Sequence, residues 1–162
     1  MINTIDLLDR PEIQLNETLV FPFIKNKVIL ITGAAGSIGS EIVKQLSVFE
    51  PKEIILFGHN ESGMFFLEKE LKEKYPNIKY NIQLGSVCDY DRLFQVCDDY
   101  HVDIFYHAAA NKHVPISEDN AYEAFKTNVG GTLNALDACV STGVKNFVLI
   151  STDKAVNPTT VM

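Results

Sequence analysis

A chain of 162 residues, 46% of them hydrophobic and 22% charged, has the size of one domain and enough apolar content to bury a core, which excludes a disordered or fibrous polypeptide. A formal charge of −7 and a pI near 5.0 exclude a general nucleic-acid binder, because phosphate contacts need clustered Lys and Arg, and leave room only for a local cationic site. Cys88, Cys97 and Cys139 show no CxxC spacing and no cluster of metal ligands, so reduced thiols in a cytoplasmic protein are expected and no metal site.

Residues 1–26 carry no clear period, and Pro11, Asn16 and Pro22 interrupt whatever helix could form. They read as a leader that packs on the domain or links it to something upstream, with Ile5, Leu7 and Leu8 as candidates to dock on the core. Asp6, Asp9 and Glu12 argue against a signal peptide, and no apolar stretch of the chain approaches the roughly 20 residues needed to span a bilayer.

From Lys27 onward, over 27–162, short β-type runs alternate with longer amphipathic segments, the signature of a parallel sheet with crossover helices. The predicted strands are Val28 to Ile31, Glu53 to Phe57, Lys79 to Leu84, Asp103 to His107 and Asn146 to Ile150. The predicted helices are Ser37 to Phe49, with Ile42, Val43, Leu46 and Val48 turned to the sheet, then Glu61 to Tyr75, Tyr90 to Tyr100 and Ala121 to Thr142. In the second of these, Met64, Phe65, Leu67, Leu71 and Tyr75 recur at helical spacing and read as a core face. Right-handed crossovers order the five strands 3-2-1-4-5, an α/β doubly wound parallel sheet of the NAD(P)-binding Rossmann type. A six-strand version needs more chain than Met162 allows, so the fold is expected to be incomplete at the C-terminus.

The first strand runs directly into Thr32-Gly33-Ala34-Ala35-Gly36-Ser37-Ile38-Gly39-Ser40. A tight strand-to-helix turn needs positive φ, which glycine reaches without steric cost. Gly36 lets backbone approach a pyrophosphate, Gly39 lets helix and strand pack closely, and Ser37 and Ile38 begin a helix whose N–H groups face an anion. The spacing is GxxGxxG, one residue wider than GxGxxG; a plain structural turn could use the same glycines.

Ligands of such folds lie across the carboxyl ends of the strands. After strand two, Gly58 stands where an NAD site would usually hold an acidic residue for the ribose 2′-OH, and His59 and Asn60 follow, which favours NADP over NAD. Equally, Asn60 could cap the next helix. After strand three, Ser86 and Val87 could wall an adenine, or form an ordinary turn ahead of Asp89 as helix cap. After strand four, Ala108, Ala109 and Ala110 leave room for phosphate and ribose near the backbone, and Lys112 and His113 bring donors; His107 itself reads as a satisfied core histidine. Asn128, Gly130, Gly131 and Thr132 interrupt a helical stretch, where each glycine costs about 1 kcal/mol relative to alanine. Close packing or a ligand must offset that. After strand five, Ser151-Thr152-Asp153-Lys154 offers a hydroxyl, a carboxylate and an ammonium for proton transfer around a sugar hydroxyl, or a solvated charge pair opening a loop.

TGAAGSIGSE, HAAANKHVP, TNVGGTLN and STDKAVNPTTVM occur in that order. Together they resemble the extended short-chain dehydrogenase/reductase superfamily, and within it the nucleotide-sugar 4,6-dehydratases of the CapD-like polysaccharide-biosynthesis group. The resemblance runs from Asp6 onward. Two positions depart from the family pattern: Asn111 replaces an aromatic residue and Ser86 an acidic one.

The resemblance implies a cofactor, NADP or NAD, held in part by Asn128, and a UDP-N-acetylhexosamine substrate. It further implies that Thr152 bonds the C4 oxygen, Asp153 protonates the departing 6-hydroxyl and Lys154 assists removal of the C5 proton. Met162 aligns with the tyrosine of the YxxxK motif, whose lysine falls four residues beyond. A homo-oligomer, a cytoplasmic location with a longer parent anchored at the inner face of the membrane, and an inactive isolated segment are expected on the same ground. A UDP-N-acetylhexosamine C4 epimerase and a non-catalytic dinucleotide sensor are the alternatives.

Overall fold

The computed structural model describes residues 16–162. Five parallel strands, β1 (Val28–Thr32), β2 (Glu53–Gly58), β3 (Lys79–Leu84), β4 (Ile104–His107) and β5 (Asn146–Leu149), form one sheet in the order β3-β2-β1-β4-β5, as expected. The register sets Thr32 beside Phe57 and His107, Gly58 beside Leu84, and His107 beside Leu149, so the carboxyl ends share one edge.

Side chains alternate across a strand, and both faces of a parallel sheet are covered. Ile29, Ile31, Ile54 and Leu56 therefore pack on one side against Ile24 of α1 (Glu17–Ile24), Val43 and Leu46 of α2 (Ser37–Ser47), and Met64, Leu67 and Leu71 of α3 (Glu61–Lys74). Val28, Leu30, Ile55 and Phe57 pack on the other against Leu93 and Val96 of α4 (Tyr90–Tyr100) and Ala135 and Ala138 of α7 (Gly131–Thr142). Between β4 and α7 lie α5 (Val114–Asp119) and α6 (Ala121–Phe125). No helix among the described residues is long and apolar enough to cross a membrane.

Several expectations are corrected. Pro22 does not prevent a helix: it sits inside α1, where its fixed φ is helical and only the bond toward Thr18 is forgone, while Lys25 N–H still reaches Phe21 O at 2.9 Å. Ile5, Leu7, Leu8 and Pro11 lie outside the described residues. Phe65 is not core but 58% exposed, edge-on to Phe66, because residues 64, 67 and 71 already fill the buried stripe. Val48 follows the end of α2 and is exposed. The helix expected from Ala121 to Thr142 is α6, a π-helical turn over Lys126–Gly130, and α7; apolar periodicity does not register one wider turn.

Candidate functional site

The common edge opens into a cleft of about 830 Å³, at the point between β1 and β4 where the strand order reverses. Its floor is the glycine turn. Gly33 has φ +64°, and a Cβ there would come within 2.9 Å of Ala108 O and 3.0 Å of Ala109 Cα. Gly36 N–H closes the turn on Gly33 O at 2.8 Å, and a Cβ on Gly39 would overlap that same carbonyl oxygen. The helix can start this close to the strand only without those side chains. No side chain among the described residues caps α2, so its first N–H groups, which lack intrahelical acceptors, can face an anion. Lys112 reaches the same spot from the β4 end, donating from Nζ to Ser37 Oγ at 3.1 Å.

Gly33, Gly36, Ser37, Ile38, Gly39, His59, Asn60, Ser86, Val87, Ala108, Ala109, Ala110, Lys112 and Asn128 line the cleft, as do Thr152, Lys154 and Met162. Asp153 stands outside that lining. It begins a 3-10 turn, Asp153–Ala155, and its Oδ1 accepts from Thr152 Oγ1 at 3.1 Å. Asp153 and Lys154 do not form the solvated pair considered from the sequence; the ion pairs among the described residues join other partners. Met162 reaches the cleft on a segment that Glu118 holds, Oε1 accepting from Val161 N–H at 2.8 Å.

Some side chains have structural employment. Asn60 Oδ1 accepts from Gly63 N–H at 3.0 Å and Asp89 Oδ1 from Arg92 N–H at 3.0 Å, so both cap helices. Val87 is buried and meets Gly131, where a Cβ would lie 2.5 Å from Val87 Cγ2. Packing thus accounts for Gly131, whereas a Cβ on Gly130 would meet none of the described residues within 4 Å. His107 is 2% exposed, between Thr32 and Thr132, and burial lowers its pKa from 6.5 to about 4.

The sequence assigns no individual site role to Thr32, Asn111, Thr132 or Ser151. Asn111, Thr132 and Ser151 also line the cleft, while Thr32 is buried at the end of β1. A hydroxyl at the end of an otherwise apolar strand was the available signal for Thr32.

In a chain of formal charge −7, no Asp or Glu is among the described residues lining this cleft, and two lysines are. Such a pocket suits an anionic ligand. No group of three or more His, Cys, Asp or Glu among the described residues is arranged to hold a metal ion.

Comparison with known proteins agrees with the motifs. The family model described as "Polysaccharide biosynthesis protein" matches residues 29–162. The chain is 46% identical over 158 residues to the probable polysaccharide biosynthesis protein EpsC of Bacillus subtilis, covering 97% of this chain and 26% of that protein. It is 43% identical over 133 residues to UDP-N-acetylglucosamine 4,6-dehydratase (inverting) of Campylobacter jejuni, covering 82% and 38%. The solved structure of the Bordetella bronchiseptica enzyme WbmH in complex with NAD+ matches with a TM-score of 0.64 and 27% identity, over 81% of this chain and 40% of that one. The chain thus spans between a quarter and two fifths of the length of these relatives. By the extent of the family match, it belongs to the polysaccharide biosynthesis protein family.

Proposed function

We propose that this chain is the cofactor-binding part of an NAD(P)-dependent UDP-N-acetylglucosamine 4,6-dehydratase serving surface polysaccharide or glycan biosynthesis. The observation that carries the reading is the cleft at the strand-order reversal, whose lining includes glycines, alanines and two lysines and, among the described residues, no carboxylate. The residues fit a dinucleotide. The turn has no room for a Cβ at Gly33 or Gly39, the first turn of α2 offers N–H groups to a pyrophosphate, and Lys112 adds a cation beside them. Gly58 at the end of β2, with His59 in the lining, favours NADP over NAD, because no carboxylate there repels a 2′-phosphate. The name of the Campylobacter jejuni relative supports the substrate.

A bound nicotinamide would supply the hydride acceptor for C4 of the sugar and the hydride donor for C6. The chain's own residues manage protons around that exchange. Thr152 holds the C4 oxygen by a hydrogen bond, Lys154 assists removal of the C5 proton, and Asp153 protonates the 6-hydroxyl as it leaves as water. Thr152 Oγ1 lies 3.1 Å from Asp153 Oδ1, so the two act side by side. Met162, which by the resemblance takes the place of the tyrosine of the YxxxK motif, cannot itself take the O4 proton, which passes to Asp153 in this reading. Self-association, a cytoplasmic location and anchoring of a longer parent at the inner face of the membrane belong to the same proposal.

The test is incubation of the full-length protein with UDP-N-acetylglucosamine and NADP or NAD, followed by NMR of the product. A 4-keto-6-deoxy sugar is expected. A C4 epimer retaining its 6-hydroxyl would replace the dehydratase reading with the epimerase one, and dinucleotide binding without turnover would favour a sensor.

A further inference from the structure

The alanine wall of the cleft is suspended between two hydrogen-bonded clamps, and one buried imidazole joins them. At the strand end, Thr32 Oγ1 accepts from Ala108 N–H at 3.2 Å and from Ala109 N–H at 3.3 Å. A hydroxyl has two lone pairs and one hydrogen, so the remaining hydrogen points to His107 Nδ1 at 2.9 Å. The ring then accepts at Nδ1 and carries its proton at Nε2, which meets Thr132 Oγ1 at 3.2 Å.

The other end gives the same polarity independently. Thr132 Oγ1 lies 2.6 Å from Asn128 O, and a carbonyl only accepts, so Thr132 donates there and is free to accept from His107. Asn128 sits in the π turn, where Gly131 N–H reaches back to Lys126 O. Its side-chain amide grips the backbone of Asn111 in both directions: Oδ1 accepts from Asn111 N–H at 2.8 Å and Nδ2 donates to Asn111 O at 3.0 Å. Residues 107 and 111 are thereby tied to residues 132 and 128, and the three alanines lie between the ties. Phe147 stacks beside the ring with centroids 6.1 Å apart, Phe105 lies at 6.4 Å, and burial keeps the imidazole neutral.

We infer that His107 and Thr132 are positioning residues: acting through Asn128, they set the backbone from Ala108 to Lys112 against which the cofactor lies. The binding part of this inference rests on the dinucleotide reading; the clamp exists without any ligand.

The experiment compares the chain with its Thr132→Val, Thr132→Ser and Thr142→Val variants. Thr142 Oγ1 makes a bond of the same kind, to Ala138 O at 2.8 Å, at the end of the same helix away from the cleft, and controls for loss of a helix hydroxyl. Three quantities are read: the 15N tautomer of His107, hydrogen exchange of the Asn111 amide, and the Kd for NADPH by fluorescence. The parent is expected to hold its proton on Nε2. Thr132→Val is expected to speed Asn111 exchange and weaken NADPH about tenfold, Thr132→Ser to restore both to within about twofold, and Thr142→Val to leave both unchanged. An Nδ1-protonated ring in the parent overturns the inference with no variant needed. So do an unchanged Asn111 amide in Thr132→Val and equal losses in the two valine variants. Absence of NADPH and NADH binding by the parent sinks the cofactor reading, and the tautomer and the Asn111 amide still decide the clamp.

Discussion

Lys112 Nζ donates to Ser37 Oγ at 3.1 Å, joining the segment after β4 to the first turn of α2 across the mouth of the glycine turn. An ammonium resting on a neutral hydroxyl at a helix N-terminus has exchanged little hydration for protein contact. It is available to a phosphate, where a charge-assisted bond is stronger. Replacing Lys112 with Met is expected to weaken dinucleotide binding about tenfold and to leave the unfolding midpoint within error of the parent. Isothermal titration and urea denaturation on the same samples check this, and an unchanged affinity removes Lys112 from the phosphate site.

The glycines separate by what surrounds them. Gly39→Ala drives a Cβ into Gly33 O and is expected to cost about 2–3 kcal/mol of stability through backbone displacement. Gly130→Ala meets none of the described residues within 4 Å at φ −61° and ψ −45°, and is expected to stabilise by about 0.5–1 kcal/mol, since it lowers only the freedom of the unfolded chain. Chemical denaturation of the two variants gives both signs in one experiment. A destabilised Gly130→Ala would show that the π turn depends on that glycine.

His107 carries a pH dependence whose sign follows from its lowered pKa. The folded value is about 4 against 6.5 for the free ring, so the unfolded chain takes up the proton first. The associated stability is complete above about pH 6.5 and is lost as pH falls toward 4, by about 3 kcal/mol in all. Denaturation midpoints measured from pH 7 to pH 4 are expected to fall less steeply in His107→Gln than in the parent. Parallel curves would mean that the ring is charged in the fold or titrates freely.

Asp153→Asn in the full-length protein is expected to lower the dehydration rate by 100-fold or more, with NADPH affinity within about twofold of the parent. Steady-state turnover and fluorescence titration are the measurements. Undiminished turnover would remove Asp153 as the proton donor for the leaving hydroxyl.

The sheet was legible because Val28 to Ile31 and Glu53 to Phe57 are short, apolar and buried on both faces, and because the glycine turn marks where the first strand ends. Taking the residues that follow each strand end was enough to find most of the cleft lining. The π turn was not legible, since the apolar spacing through Phe125, Val129 and Leu133 fits an uninterrupted helix equally well. Nor was the grip of Asn128 on Asn111. Its partner lies 17 residues away, and the Thr32 to His107 bond spans 75. Such pairings follow from topology and leave no local pattern. Short α5, with Pro115 in its first turn, escaped for the opposite reason: six residues are too few to show a period.

The carboxylate-free lining also bears on how a ligand arrives. A net charge of −7 disfavours, on average, the approach of an anion such as the proposed dinucleotide, and the described lining of the mouth between β1 and β4 adds two lysines and no carboxylate to that balance. A field of this kind would favour encounters at the edge that carries Lys112 and Lys154. Capture should therefore depend on ionic strength through two opposed contributions, the screened repulsion of the whole molecule and the screened attraction of its mouth.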